Sequence, residues 1–595
     1  MKRRHFLRCS LGTVLLLAGC NASSAPDAPR SCPVVLERSE AFSADRYALS
    51  VPEGGRAVFR LLPADGYTLT GADDPDAELV RTSEGYTLTL PQVRYATAVS
   101  VTAVRSEAHL YYNPNGGQFL SGDPAQTWTE VPVTPSHLRW NTEPDGTLFV
   151  RTGYTLTGWN TAADGSGTAV GLGSRTAPES RLYAQWAQWN PAEEFRFEPS
   201  GSGVTITEWS GSSAKLVIPA QLDGLPVTGI AAGAFAGAPC TEVIFPVSLR
   251  AVAPGAFTGS AVRQITLFDA LRDITDYAFE GCAALHTLHI NAARAPVYSG
   301  SYQSSWADKY DRLCSLTGEK KLVLFSGSSA RFGYDSEALE AAFPPYRVAN
   351  IGVFAYTNAL PLLDLTAEVL TEGDILLLSP EFDAAKRQFC TTNALDEVFF
   401  SMMEADYDTA ARLDLQRYSA VFSALGSYLK TSAAMSSRSY ALSPADFDED
   451  GNPVDTPSYN EQGDYILYRP DAADDQPIYG LGVEYTVGAF PQSYLDAANA
   501  AWTPLVRRGV QVYLTYSPRN RLAVSADTTP ESIAALDAYL RHGLEIPVIS
   551  PLAQSLLPGR YFYGTDNHLS THGVVLRTEQ VIADLHTQRK KEGRE

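Results

Sequence analysis

The chain has 595 residues, 45% of them hydrophobic and 19% charged, with 67 Asp and Glu against 46 Lys and Arg for a formal charge of −21. That length accommodates roughly three to five domains, and the acidity argues against a nucleic-acid partner and against a polybasic membrane patch. The seven cysteines, Cys9, Cys20, Cys32, Cys240, Cys282, Cys314 and Cys390, have spacings that suit neither a zinc site nor a disulfide scaffold.

The first element is a leader. Lys2, Arg3, Arg4 and Arg8 form a basic start, Leu11 to Ala18 an apolar run, and Leu17-Ala18-Gly19-Cys20 a small-residue site. The run is shorter than the ~20 apolar residues a bilayer span needs, so 1–19 reads as a secretory signal peptide. Leu-Ala-Gly-Cys resembles a bacterial lipobox, which implies cleavage before Cys20 and acylation of its thiol; a secreted chain cut elsewhere is the plainer alternative. Residues 20–30, rich in Ser, Ala and Pro, read as a flexible tether. Losing the leader's four basic residues takes the mature charge from −21 to −25.

Residues 31–107 alternate apolar and polar positions in short runs, as in Ala57-Val58-Phe59-Arg60-Leu61 and Tyr86-Thr87-Leu88-Thr89-Leu90. Gly, Asp and Pro punctuate the runs, which predicts an all-β domain, a small sandwich serving as a stalk. Residues 108–187 carry Asn113-Pro114-Asn115-Gly116-Gly117, Gly158-Trp159-Asn160, Asp164-Gly165-Ser166-Gly167 and Leu182-Tyr183-Ala184-Gln185-Trp186. The glycine-rich runs are turns needing positive φ, and Trp159 and Trp186 are core candidates. The segment resembles one Listeria–Bacteroides repeat of the internalin B type, which implies a small β-grasp-like module.

Residues 188–295 repeat. Ala234-Phe235, Ala256-Phe257 and Ala278-Phe279 are spaced by 22, as are Ile230, Val252 and Ile274; Leu288 and Ile290 follow Ile265 and Leu267 with a one-residue slip. That period lies in the leucine-rich range of ~20–29, and the Ile-x-x-x-Ala-Phe unit resembles the BspA-type leucine-rich repeat. Three or four copies make a spacer or a small adhesive surface rather than a long binding horseshoe. Cys240 and Cys282 read as small apolar residues within the repeats.

Residues 300–590 change texture. Strands at Lys321 to Phe325, Arg347 to Val353, Gly373 to Phe382 and Gly509 to Pro518 alternate with helices at Asp335 to Ala342, Leu362 to Leu370, Ala500 to Arg508 and Ile533 to His542. This predicts an α/β domain with a parallel, flavodoxin-like sheet, whose ligands belong at the carboxyl ends of the strands. The fold class is therefore multidomain, all-β modules and a short solenoid followed by α/β.

Those strand ends carry the chemistry. Ser326-Gly327-Ser328-Ser329 follows the first strand, where a serine is exposed with free amides beside it. Late in the chain stands Gly564-Thr565-Asp566-Asn567-His568-Leu569-Ser570-Thr571-His572-Gly573. A serine nucleophile needs a base, and the base an orienting acid. The set resembles the SGNH (GDSL-type) hydrolase superfamily, in particular its DltD-like and alginate-acetylation-like branch. The block Ser326 to Gly333 resembles Gly-Gly-Ser-Asn-x-x-Phe-Gly, Asn350-Ile351-Gly352 resembles the block that gives a glycine to the oxyanion hole, and His568-Leu569 with Gly573 and Arg577-Thr578 resembles the terminal block. The resemblance implies Ser328 as nucleophile, His568 as base, Asp566 as orienting acid, and Gly352 with the Ser328–Ser329 amides as oxyanion donors. Alignment on Gly-Asp-Ser would make Ser329 the nucleophile instead. Two positions depart from the pattern: Ser379-Pro380-Glu381 stands where an asparagine donor is usual, and Thr565 holds the usual place of the acid.

Other patterns carry plainer readings. His568 and His572 lack a third metal ligand and the glutamate of a zinc motif. Asp446 to Gly451 spells the start of a calcium loop but has Pro457 at its twelfth position, so an acidic turn is preferred. Asp446 to Tyr485 reads as an insertion over the sheet ends, and Glu381 as a buried partner for Arg331 or Arg577. No cofactor motif is evident. Together these expectations describe a lipid-anchored surface protein acting on acyl esters of an extracellular glycan or cell-wall polymer, with a host or cell-surface protein as a further possible partner. The other reading is a non-catalytic adhesion or scaffold protein. If the leader is a lipobox, Cys20→Ala abolishes metabolic labelling with a fatty-acid probe and moves the chain out of the membrane fraction; retained label contradicts it.

Overall fold

The computed structural model describes residues 31–39, 41–64, 67–82, 85–105, 108–120, 127–133, 149–177, 179–294, 296–298, 301–383, 392–435, 459–466, 469–478 and 482–595. Cys20, the leader, the tether, Cys390 and the Asp446–Gly451 turn lie outside them. The chain divides into two compact units, Met1–Arg105 and Ser106–Glu595.

The first unit is all β. Ser31–Leu36 pairs antiparallel with Ala48–Pro52 and parallel with Thr97–Val99, and a four-stranded antiparallel sheet runs through Gly55–Pro63 and Gly85–Val93. The alternation read from the sequence is the pattern of burial: Ala57, Phe59 and Leu61 face a core shared with Val34, Leu88 and Val99, while Arg60 points out.

The second unit begins with a five-stranded mixed sheet whose central pair, Ala108–Asn113 and Arg181–Gln188, is parallel. Trp159 is buried with its ring 4.6 Å from Tyr112, and Trp186 donates its indole hydrogen to the Pro114 carbonyl at 2.8 Å. Asn115 and Gly116 take positive φ at the tight turn the sequence calls for.

The repeats stack in parallel, with Leu216, Val243, Ile265 and Leu288 in successive register. Phe235 and Phe257 lie 4.7 Å apart and nearly coplanar, and Phe257 and Phe279 5.3 Å apart. The column does not end with the repeats. Phe422, on helix Val421–Ala434 of the C-terminal part, closes it at 4.3 Å from Phe279. That helix lacks a cap of its own, because Ala420 stands at its N-cap. Asp276 from the repeats supplies one: its carboxylate accepts from Phe422 N at 2.9 Å and Ser423 N at 3.2 Å. The repeats are thus built into the C-terminal part rather than set off as a spacer.

A buried polar cluster reinforces this junction. Asp269 pairs with Arg294 at 3.4 Å and accepts from the Tyr407 hydroxyl at 3.2 Å. Glu404 accepts from Val297 N, Tyr298 N and the Tyr428 hydroxyl at 2.9, 2.7 and 2.8 Å. The partners come from four segments, at Asp269, at 294–298, at 404–407 and at Tyr428, so the cluster fixes one docking arrangement.

The C-terminal part holds a four-stranded parallel sheet in the order Arg347–Gly352, Lys321–Ser326, Ile375–Ser379, Gln511–Leu514, with Val548 bridging parallel to Leu514. Lys321–Ser326 is buried along its whole length, as a strand covered on both faces must be. Its side chains alternate between two cores. Val323 and Phe325 join helix Leu360–Val369 and the repeats, and Leu322 and Leu324 join Leu339, Phe343, Val581 and Leu585. Helix Gln492–Arg507 begins eight residues earlier than the sequence reading placed it.

Phe257→Ala is expected to lower unfolding free energy by about 3–5 kcal/mol, read by thermal or denaturant melts of the intact chain. The cluster adds a pH dependence. Burial, opposed by Arg294 and the Ala293 amide, pushes Asp269 up to about 6, whereas an unfolded aspartate titrates near ~3.9. The folded state therefore holds this proton more tightly. The stability it lends is full below about pH 4 and is lost as pH rises through about 6, on the order of 3 kcal/mol. Between pH 5 and 7 the melting temperature of wild type should fall more steeply than that of Asp269→Asn; parallel curves refute this.

Candidate active site

The chain turns back on itself at the central strand: from Lys321–Ser326 it passes to one side, to Arg347–Gly352, and then to the other, to Ile375–Ser379. That change of direction opens a crevice at the strand's carboxyl end. Gly327 follows the strand, and helix Ser328–Arg331 begins at once. A Cβ on Gly327 would stand 2.6 Å from Glu381 Oε1 and 2.7 Å from the Ala355 Cβ, so the turn needs a glycine.

Ser328 and His568, separated by 240 residues, meet in this crevice: the Ser328 hydroxyl lies 2.8 Å from His568 Nε2. Both are partly exposed. Ser329 is placed otherwise. It is fully buried, and its hydroxyl is shared with Ser517 at 2.9 Å and Ser326 at 3.2 Å. Of the two serines that sequence reasoning left open, only Ser328 has the geometry to pass a proton to the imidazole.

His568 is held from several directions. Its ring stacks on Phe332 with centroids 4.0 Å apart and planes 16° apart. The Thr565 hydroxyl accepts from both His568 N at 3.0 Å and Asn567 N at 3.1 Å, and Tyr563 N donates to the His568 carbonyl at 2.9 Å. The loop then enters helix Thr571–Lys591, where Ser570 caps Gly573 N at 3.0 Å. His572 turns away and pairs with Asp471 at 3.0 Å. To act as base, the His568 ring must accept the serine proton at Nε2 and so carry its own hydrogen at Nδ1.

Asp566 stands two residues before His568 in the same loop. Its buried carboxylate accepts from Ile478 N at 2.8 Å and from Asn520 Nδ2 at 2.9 Å. It thereby ties the histidine loop to two other segments. A carboxylate removed from water needs hydrogen-bond donors, and an amide and a side-chain NH₂ are among those it takes here.

Gly352 sits in register with Ser326. A Cβ there would stand 2.4 Å from Arg331 N, so the residue must be glycine for the nucleophile's helix to pack. Its carbonyl accepts from Lys309 Nζ at 2.5 Å, and burial, with Arg331 nearby, holds that ammonium well below its usual range. The Ser329 amide is also engaged: Glu381 Oε1 accepts from Ser329 N at 2.9 Å and stands 3.5 Å from the Ser328 hydroxyl. Asn567 Nδ2 donates to Glu381 Oε2 at 3.3 Å, and Arg519 Nη1 to Asn567 Oδ1 at 2.9 Å. Glu381 is thus buried as expected, but against the nucleophile's turn; Arg577 donates instead to Thr515 Oγ1 at 2.8 Å.

Sequence reasoning passed over Phe332 as a platform and Thr565 as the clamp of the histidine loop. Both stood inside quoted motifs, but only the fold shows that they touch the base.

Comparison with known proteins bears on the repeats. A family model described as BspA type leucine rich repeat region matches residues 226–308 in six copies, more than the three or four counted from the phenylalanines. The crystal structure of a leucine rich repeat protein of T. pallidum is similar at 18% identity, covering 23% of this chain and 75% of that one, with a TM-score of 0.13. No curated protein matches the chain in sequence. The chain is thus a multidomain protein that carries BspA-type leucine-rich repeats, with β-rich segments before them and a helix-containing part after them.

Proposed function

We propose that the C-terminal part is an extracytoplasmic serine hydrolase or acyltransferase of the SGNH-like kind, acting on acyl esters of a glycan or cell-wall polymer. The observation that carries this reading is the 2.8 Å contact between Ser328 Oγ and His568 Nε2. It lies at the carboxyl end of the central strand of a parallel sheet, where such sheets take their ligands. In this reading Ser328 Oγ attacks the ester carbonyl while its proton passes to His568 Nε2. The imidazolium then gives the proton to the leaving alcohol. The acyl-serine formed is released to water, or to the hydroxyl of a second polymer. The lipobox-like leader puts this chemistry at the cell surface, held to the membrane by a lipid on Cys20.

One observation favours the second reading, an adhesion or scaffold protein with a silent site. The Glu381 carboxylate occupies the amide of Ser329, the residue after the nucleophile, which in acyl transfer faces the developing oxyanion. BspA-type repeats also suit an adhesive or scaffolding part. A fluorophosphonate probe separates the two. On the first reading wild type takes up one label, and Ser328→Ala and His568→Ala each remove nearly all of it. The double variant is then no worse than either single one, since the pair acts as a unit. Labelling that survives Ser328→Ala contradicts the assignment.

A further inference from the structure

Glu381 has no place in the serine–histidine scheme, yet its carboxylate lies 3.5 Å from the Ser328 hydroxyl. Its carboxylate lies beside Ser328, accepts the Ser329 amide hydrogen, and is 3% exposed. An acyl-transfer site needs that amide for the carbonyl oxygen of its substrate, which becomes an oxyanion on attack. An ionised carboxylate at the same donor has the charge and the atom type of that oxyanion. It therefore competes for the position and repels the charge that must develop there.

We propose that Glu381 is a built-in occupant of the oxyanion position, which a substrate carbonyl must displace and which keeps the nucleophile at rest until it does. This rests on Ser328 being the nucleophile. Displacement has a destination. Glu381 lines a pocket together with Tyr485, Ser517, Arg519 and Asn567. Asn567 already bonds its second oxygen, and the Arg519 guanidinium behind Asn567 offers a cation to the moving carboxylate. The charged and titratable groups facing Glu381 are Asp383, Arg519 and Tyr485 in that pocket and His568 across the Ser328 hydroxyl. Burial pushes the Tyr485 phenol up, with Glu381 and Asp383 adding to it, so Tyr485 stays neutral and is a donor to whatever enters.

The test is the rate of fluorophosphonate labelling of the intact chain, in wild type, Glu381→Gln, Glu381→Ala and Ser328→Ala. In this reaction an Oγ–P bond forms, the P–F bond breaks, fluoride leaves, and the serine proton passes to His568; the phosphoryl oxygen takes the oxyanion position. Removing the carboxylate is expected to raise the labelling rate at pH 8 by about tenfold or more in both Glu381 variants, a fraction of the ~10²–10³ that one oxyanion donor is worth. Melting curves of Glu381→Gln confirm that the isosteric variant is folded. Wild type labelling as fast as or faster than both variants at pH 8 overturns the proposal and leaves Ser328 as nucleophile. Labelling of no form, or equal labelling of Ser328→Ala, overturns the serine reading itself and this proposal with it.

Discussion

Everything in the C-terminal part follows from one constraint: a parallel sheet cannot leave either face in water. Lys321–Ser326 and its neighbours are apolar on both sides, so two separate layers must cover them. One layer includes helix Thr571–Lys591, whose Val581 and Leu585 pack against Leu322 and Leu324. That helix runs back from the carboxyl edge of the sheet, which leaves its leading loop, with His568, at the end of the central strand. The Ser328–His568 contact is therefore a by-product of core coverage. Ser328 is where it is because a strand ends there, and His568 because the helix that covers that strand begins beside it.

The opposite face explains why the repeats are not a separate rod. Their aromatic column would end in an exposed Phe279 ring. Phe422 covers it, and the helix bearing Phe422 takes its N-terminal cap from Asp276. Each side completes what the other lacks: an apolar end on the repeats, a missing cap on the helix. Buried polar groups such as Asp269, Arg294 and Glu404 then permit only one alignment, since sliding would strand charges out of water. The repeats are accordingly held at a fixed orientation to the crevice.

The site itself combines features of a working and a resting centre. A hydroxyl–imidazole contact with the base stacked on Phe332 is an arrangement for proton transfer. A carboxylate on the neighbouring amide is an arrangement against charge development. On the proposed reading the two are compatible, because they bear on different moments of the reaction.

The sequence by itself was enough for what depends on local order. The 22-residue spacing of Phe235, Phe257 and Phe279 specifies a stacked column, since each repeat can bury its ring only against the next. Alternation at Ala57 to Leu61 specifies a half-buried strand, and apolar strands between helices specify a parallel sheet. A strand-end serine and a late histidine could be marked as a pair from the family resemblance, which left Ser328 and Ser329 both open. Only the tertiary structure decided the rest. It sent the Asp566 carboxylate to Ile478 N and Asn520, buried Ser329 among hydroxyls, and brought Glu381 onto the nucleophile's turn. It also joined the repeats to the α/β part through Phe422 and Asp276. Each of these is a choice of partner between residues far apart in the chain. A hydrogen-bonding side chain carries no address: it takes the donor that packing brings within about 3 Å, and packing is settled only when the whole core closes.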